Sequence, residues 1–230
     1  MWISLAVLLV VFVYIGIPLM HSILGRLMLR RKAVESGAMV LTFDDGPGNK
    51  LTPALLSILA ENKAKATFFL LGRNIPGREA IVRQISQQGH DICSHGYDHL
   101  HSWKVSPFRA LADIKRGWTA IDTALGIGRS RYPFRPPKGK MNIFCLLYLM
   151  LLRVPIVYWS VDSGDTWPIV PKSDRLSLLM KKTGGMVSLT HDFDRSDDSR
   201  RQFVLESTRL ALAAAKEKNM SVLTVSELFK

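Results

Sequence analysis

Only two cysteines, Cys93 and Cys145, occur in 230 residues, both in apolar contexts and without framework spacing. That excludes a disulfide-stapled scaffold and agrees with reduced thiols in a cytoplasmic setting. Acidic residues are also short, 19 against 31 basic, and none lies within residues 1–32. The resulting charge of +12 suits anionic lipid, a phosphorylated substrate or nucleic acid. No zinc finger, stacking platform or basic helix accompanies it, which argues against nucleic acid as a partner. Internal repeats and low-complexity tracts are missing too. With 47% hydrophobic and 22% charged residues, the chain suits one good-sized core.

What is present begins with residues 1–20, which carry no charge and run through Leu, Val, Ile and Phe. About 20 such residues span a hydrocarbon core, and Gly16 and Pro18 are tolerated in membrane helices. There is no basic n-region and no small-residue cleavage site, so residues 1–25 read as an uncleaved single-pass anchor. A basic juxtamembrane linker, residues 26–37, follows with Arg26, Arg30, Arg31 and Lys32. By the positive-inside rule the remainder, residues 38–230, lies on the cytoplasmic face of the cell membrane, with the extracytoplasmic face as the alternative.

Beyond the linker, β-rich runs at 39–43, 67–71, 91–94, 132–135, 156–160, 186–189 and 221–225 alternate with helical patterns. The helices are expected at 53–61, 78–88, 107–125, 143–152, 175–181 and 201–218, with Leu55, Leu56, Ile58 and Leu59 giving the helical period in the first. This alternation predicts a parallel α/β sheet or barrel. The C-terminal ends of parallel strands gather on one face, where α/β sites are built.

Reactive side chains fall at those strand ends. Asp44 and Asp45 follow the first run, and Gly46-Pro47 can stop the strand so that both carboxylates reach one pocket. One could hold a metal while the other accepts a proton. His95 and His99 have the spacing that sets two imidazoles on one helical face, and with a carboxylate they make a ligand set for catalytic zinc. His90 and His101 read as a satisfied buried histidine and a surface histidine. Prolines stiffen the backbone around Arg135, whose guanidinium suits bidentate pairing that keeps a carboxylate ionised. His191 follows the sixth run and titrates near neutral pH, as a general acid must. Asp192 and Asp194 read as solvated loop residues.

Thr42-Phe43-Asp44-Asp45-Gly46-Pro47, His95-Gly96-Tyr97-Asp98-His99, Arg135-Pro136-Pro137-Lys138-Gly139, Asp162-Ser163-Gly164-Asp165 with Trp167, and Leu189-Thr190-His191 together resemble, in order, the five motifs of the polysaccharide deacetylase family, carbohydrate esterase family four. The likeness spans roughly residues 39–225. It implies a distorted (β/α)7 barrel, here preceded by a transmembrane helix. It also implies a divalent metal, usually zinc, and hydrolysis of the acetamide of an amino sugar that is free, polymeric or lipid-linked. Carried over, Asp45, His95 and His99 would hold the metal. Asp44 would be the general base, paired with Arg135, and His191 the general acid, oriented by Asp165. The backbone N–H of Lys138 would serve the oxyanion, and Leu189 and Trp167 would wall the acetyl pocket. Two departures fall on the substrate side: Lys138 replaces a usual aromatic, and the usual Asp-Trp pair is split as Asp165-Thr166-Trp167.

Residues 141–152 are almost wholly apolar, which fits a buried barrel helix, or alternatively a helix resting on the bilayer beside Arg129, Arg131, Lys138 and Lys140. Rival readings keep the same site for an O-acetyl esterase or a deformylase, or make the chain a catalytically idle carbohydrate-binding relative.

Overall fold

Apolar runs too short to span a domain alone must pair with one another, and the helices between them force that pairing to be parallel. The computed structural model describes residues 2–194 and 197–230, with side chains from Leu5 onward. Strand β1 (Ala38–Val40) lies between β7 (Ser221–Leu223) and β6 (Met186–His191). Strand β2 (Thr42–Asp44) lies between β6 and β3 (Thr67–Leu70), and β4 (Asp91–Ser94) flanks β3. The short β5 (Val161–Asp162) also pairs with β6. All these ladders are parallel, as the alternation predicts.

The barrel does not close by regular pairing. Between β4 and β5 the expected strands at 132–135 and 156–160 shrink to isolated bridges of Phe134 with Ser94 and with Ile156. Pro133, Pro136 and Pro155 lack the N–H that a continuous ladder needs, so only single residues between them can pair. The expected first strand is likewise split at Leu41, each half serving a different outer neighbour.

Alternate strand residues enter two cores. Met39, Phe43, Phe68 and Leu70 pack outward against α3 (Leu51–Glu61), α4 (Glu79–Gln87), α7 (Arg175–Thr183) and α8 (Asp198–Glu217). Val40, Phe69 and Val187 pack on the other side with α5 (Pro107–Leu125) and α6 (Ile143–Leu151). A final turn of helix, α9 (Val225–Leu228), closes the base with its own capping box.

The N-terminal helix comprises α1 (Trp2–Val11), a π-helical turn (Phe12–Gly16) and α2 (Ile17–Glu35). The expected linker at 26–37 is therefore helical through Glu35. Tertiary packing explains this: Leu29 and Ala33 are buried, and Gly185 sits so close that an added Cβ would lie 2.2 Å from the Ala33 carbonyl oxygen. Residues 5–13 remain exposed along the helix.

Helix α6 departs from the buried-helix expectation on one face. Cys145, Leu146 and Leu149 are buried, whereas Phe144, Leu147, Met150 and Leu151 are exposed.

Candidate active site

Strand β2 ends at Asp44, and Asp45 takes a left-handed turn at φ 71°. That turn brings two adjacent side chains to one pocket, where a continuing strand would have sent them to opposite faces. Register pairs Asp44 with His191 at the end of β6, so base and acid candidates face each other across neighbouring strands.

His95 and His99 do meet, with ring centroids 5.2 Å apart, but not on a helix. Residues 95–100 form a loop in which Gly96 (φ 83°) and His99 (φ 57°) supply the reversal. Asp113 on α5, which sequence reasoning missed, holds this loop by accepting hydrogen bonds from the N–H groups of Tyr97 (3.1 Å) and Asp98 (2.8 Å). Gly96 has no room for a side chain, since a Cβ would meet Asp113 Oδ2 at 2.4 Å. A buried helical aspartate sixteen residues downstream carries no spacing signal of its own.

Asp45, His95 and His99 offer donor atoms that all lie within 4.8 Å of one another, the one such trio among the described residues. Asp45 Oδ1 is buried without a hydrogen-bond partner, 3.7 Å from His95 Nε2 and 3.6 Å from His99 Nε2. Such separations are too long for hydrogen bonds and suit three ligands around one cation. His95 Nδ1 lies 2.8 Å from the Arg135 carbonyl, the partner that fixes Nδ1 as donor and frees Nε2. Burial pushes His95 down to about 3, against the nearby Asp45 charge, and lowers His99 likewise. Both imidazoles are then neutral, as ligands must be.

Arg135 is fully buried, unlike a surface arginine, and its pairing is not bidentate. Its Nη1 donates at 2.6 Å to both Asp44 Oδ1 and Thr42 Oγ1, while Nη2 donates to the Tyr158 carbonyl at 2.7 Å. The guanidinium also lies 3.8 Å over the Phe69 ring. Burial pushes the Asp44 carboxyl above its ordinary range, opposed chiefly by Arg135. Asp44 is thus a stronger base than a free carboxylate, where sequence alone suggested only that pairing keeps it ionised.

On the opposite wall, His191 Nδ1 lies 3.1 Å from Asp165 Oδ1, and the His191 backbone N–H donates to Asp165 Oδ2. Ser163 Oγ donates to Asp165 Oδ1 at 2.8 Å. Burial would lower the His191 pKa, but Asp165, with help from Asp45 and Asp44, raises it to about 9. With Nδ1 engaged by Asp165, Nε2 is the ring nitrogen available for proton transfer.

Leu189 is buried in β6, and Lys138 is exposed at φ 59° in the loop after Arg135. Trp167 is exposed, with the Arg175 guanidinium 4.7 Å over its ring. His90 is buried and accepts from the Ala66 N–H, as expected. His101 is more enclosed than a surface histidine, its Nδ1 buried without a hydrogen-bond partner. Asp192 is not solvated: it is buried, accepts from Thr52 Oγ1 at 2.6 Å and sits where a Cβ on Gly46 would clash. Asp194 accepts from the N–H groups of Lys50 and Leu51 at the start of α3.

The family model for polysaccharide deacetylase matches residues 31–148. The peptidoglycan-N-acetylglucosamine deacetylase PgdA of Listeria monocytogenes is 30% identical over 203 residues, 86% of this chain and 40% of its own length. This chain therefore spans less than half of that relative. The chitooligosaccharide deacetylase of Azorhizobium caulinodans is 32% identical over 173 residues, 74% of this chain and 80% of its own. Among solved structures, the Bc1960 peptidoglycan N-acetylglucosamine deacetylase superposes with a TM-score of 0.76 at 27% identity, covering 85% of this chain and 89% of that one. BA3943, a CE4 family pseudoenzyme from Bacillus anthracis, shares the fold with a TM-score of 0.72 at 22% identity, covering 86% of this chain and 66% of its own.

Proposed function

The chain belongs to the polysaccharide deacetylase family, and from that premise we propose that it is a membrane-anchored, metal-dependent hydrolase that removes an N-acetyl group from an amino sugar. The observation that carries this reading is the convergence of three kinds of group in one cleft. They are a cation-ready trio (Asp45, His95, His99), a buried Asp44–Arg135 pair and a His191–Asp165 pair. A catalytically idle carbohydrate binder has no need of all three.

The donor set of two neutral imidazoles and one carboxylate suits zinc: Asp45, His95 and His99 would hold it, and when bound it would supply Lewis-acid polarisation of the acetamide carbonyl and acidify a water. Asp44, its affinity for protons raised by burial, takes the proton of the attacking water. Arg135 holds that carboxylate in position from behind. His191, protonated at neutral pH, gives its Nε2 proton to the departing amine, and Asp165 orients the ring and stabilises its charge. Amide cleavage needs this acid because without it the nitrogen would have to leave as an amide anion, a very poor leaving group. The Lys138 backbone N–H serves the oxyanion, and Leu189 and Trp167 shape the acetyl pocket. Residues 1–25 are the anchor, residues 38–230 the catalytic domain, and the basic segment between them favours the cytoplasmic face.

Metal content and acetate release of the wild type, Asp44→Asn and His95→Ala test the reading. Asp44→Asn should keep the metal and lose hydrolysis, while His95→Ala should lose both. Hydrolysis retained in both variants sinks the mechanism, and release of formate in place of acetate from a matched substrate pair moves the enzyme to the deformylase reading.

A further inference from the structure

The apolar N-terminal helix does not end in a loose tether; it is wedged against the site. Ser22 Oγ donates to the carbonyl of Gly139, the residue after Lys138, at 3.4 Å. His21 Nδ1 lies 3.1 Å from the Tyr158 hydroxyl, and Tyr158 is the residue whose carbonyl accepts from Arg135. Gly25 faces the Tyr158 ring so closely that a Cβ would lie 2.7 Å from it, and the Arg26 guanidinium stacks 3.7 Å over the Trp159 ring. Residues 21–26 thus fix the height of the catalytic loop relative to the helix. Trp2–Met20 upstream is about 28 Å long at 1.5 Å per residue, close to a hydrocarbon core.

Helix α6 adds a second exposed apolar face to the first. Phe144 packs edge-on against Tyr14 of the N-terminal helix, with centroids 6.2 Å apart. Leu147 and Leu151 continue the same i, i+3, i+7 face, and Leu151 is 82% exposed. Contiguous exposed apolar surface of this kind marks a membrane or partner contact. The bilayer is the occupant that continuity selects, because the patch runs directly into an exposed apolar helix of spanning length.

A basic rim lies at the approach to α6. The Lys104 backbone N–H donates to the His101 carbonyl at 2.8 Å, Ser102 Oγ donates to the Lys140 carbonyl at 3.3 Å, and the side chains of Lys104 and Lys138 are exposed. Trp103 stands in this rim, with Lys140 Nζ 5.0 Å from its ring and its Nε1–H donating to the Met141 carbonyl at the approach to α6. Lysines around an amphipathic tryptophan are the side chains that suit a headgroup layer.

We propose that this site works at the bilayer surface on an N-acylated amino sugar carried by a phosphate-linked lipid. The α6 face lies in the headgroup–acyl boundary, and Lys104, Lys138 and Lys140 meet the phosphate. The inference rests on the hydrolase reading above. Its reaction consumes only water: the water oxygen bonds to the carbonyl carbon, the C–N bond breaks, and acetate and the protonated lipid-linked amine leave.

The test uses the full chain in lipid nanodiscs with three substrates, an isoprenyl-phosphate-linked N-acetylated amino sugar, the same sugar as a soluble methyl glycoside, and a chitooligosaccharide. The lipid-linked substrate should give the highest kcat/KM. Leu151→Glu should lower the ratio of lipid-linked to soluble turnover, and Lys104→Ala or Lys140→Ala should each raise KM for the phosphate-bearing substrate about fivefold relative to the neutral glycoside. A fluorophore on Leu151→Cys should be quenched by brominated lipids, a readout independent of activity. Equal or faster turnover of the chitooligosaccharide overturns the substrate assignment. An unquenched Leu151 probe overturns the seating of α6 and points to a protein partner. No acetate from any substrate, with quenching retained, refutes the hydrolase and the substrate together and leaves the bilayer seating standing.

Discussion

His95 and His191 stand on opposite walls of one cleft, and each turns its Nδ1 toward a fixed oxygen. The oxygen differs. His95 faces the neutral carbonyl of Arg135, and burial drives it down to about 3. His191 faces the Asp165 carboxylate, which overcomes the same burial and raises it to about 9. A carbonyl partner makes a neutral imidazole suited to a cation; a carboxylate partner makes a charged one suited to protonating an amine. The same side chain thus takes two roles through the charge of its neighbour.

The comparison breaks most completely at the ligand. His95→Ala removes one of three donors around the buried Asp45 oxygen, so the metal measured by elemental analysis and the acetate released should both fall to background. His191→Ala is the next largest change. It should keep the metal and lower kcat by about 10²- to 10⁴-fold, the usual worth of a positioned acid. A variant that lost metal as well would show that the two walls are not independent.

Asp165→Asn sharpens the contrast without removing the ring. On the proposed mechanism His191 acts protonated, so the wild-type rate should fall as pH rises through about 9, with the His191 contribution complete below it. Without the carboxylate the raising influence is lost, and the descending limb of kcat/KM should move to lower pH while the acidic limb, set by Asp44, stays in place. An unmoved descending limb would assign it to another group. The smallest effect belongs to Asp113→Ala. Two backbone N–H groups of the His95–His99 loop lose their acceptor, which should cost about 1–3 kcal/mol in urea unfolding and weaken metal binding without shifting the pH profile.

Legibility of the site followed the distance over which its parts are coupled. Asp44, Asp45, His95, Arg135 and His191 could be placed together because each follows a strand, and parallel strands share an end. The His95–His99 pair was legible as a pair but not in its conformation: the spacing suits a helix, while Gly96 and Asp113 make a loop. Arg135 was expected to fork onto one carboxylate. Its buried neighbours Thr42, Tyr158 and Asp44 divide its donors instead, and no local pattern announces a carbonyl from residue 158. The basic run at 26–37 suits a linker by composition, yet it is helical through Glu35 and buries Leu29 and Ala33 beneath its charges.

The order of chemistry-bearing residues, the alternation of short apolar runs with helices and the uncharged N-terminal run are local properties, and the sequence by itself determined them. Which oxygen faces each histidine, how Arg135 spends its donors and where the apolar helix meets the catalytic loop depend on contacts between residues that lie tens to more than a hundred positions apart. Only the tertiary structure decided those, because burial sets both the cost of a charge and the neighbours available to offset it, and burial exists only once the strands and helices have packed.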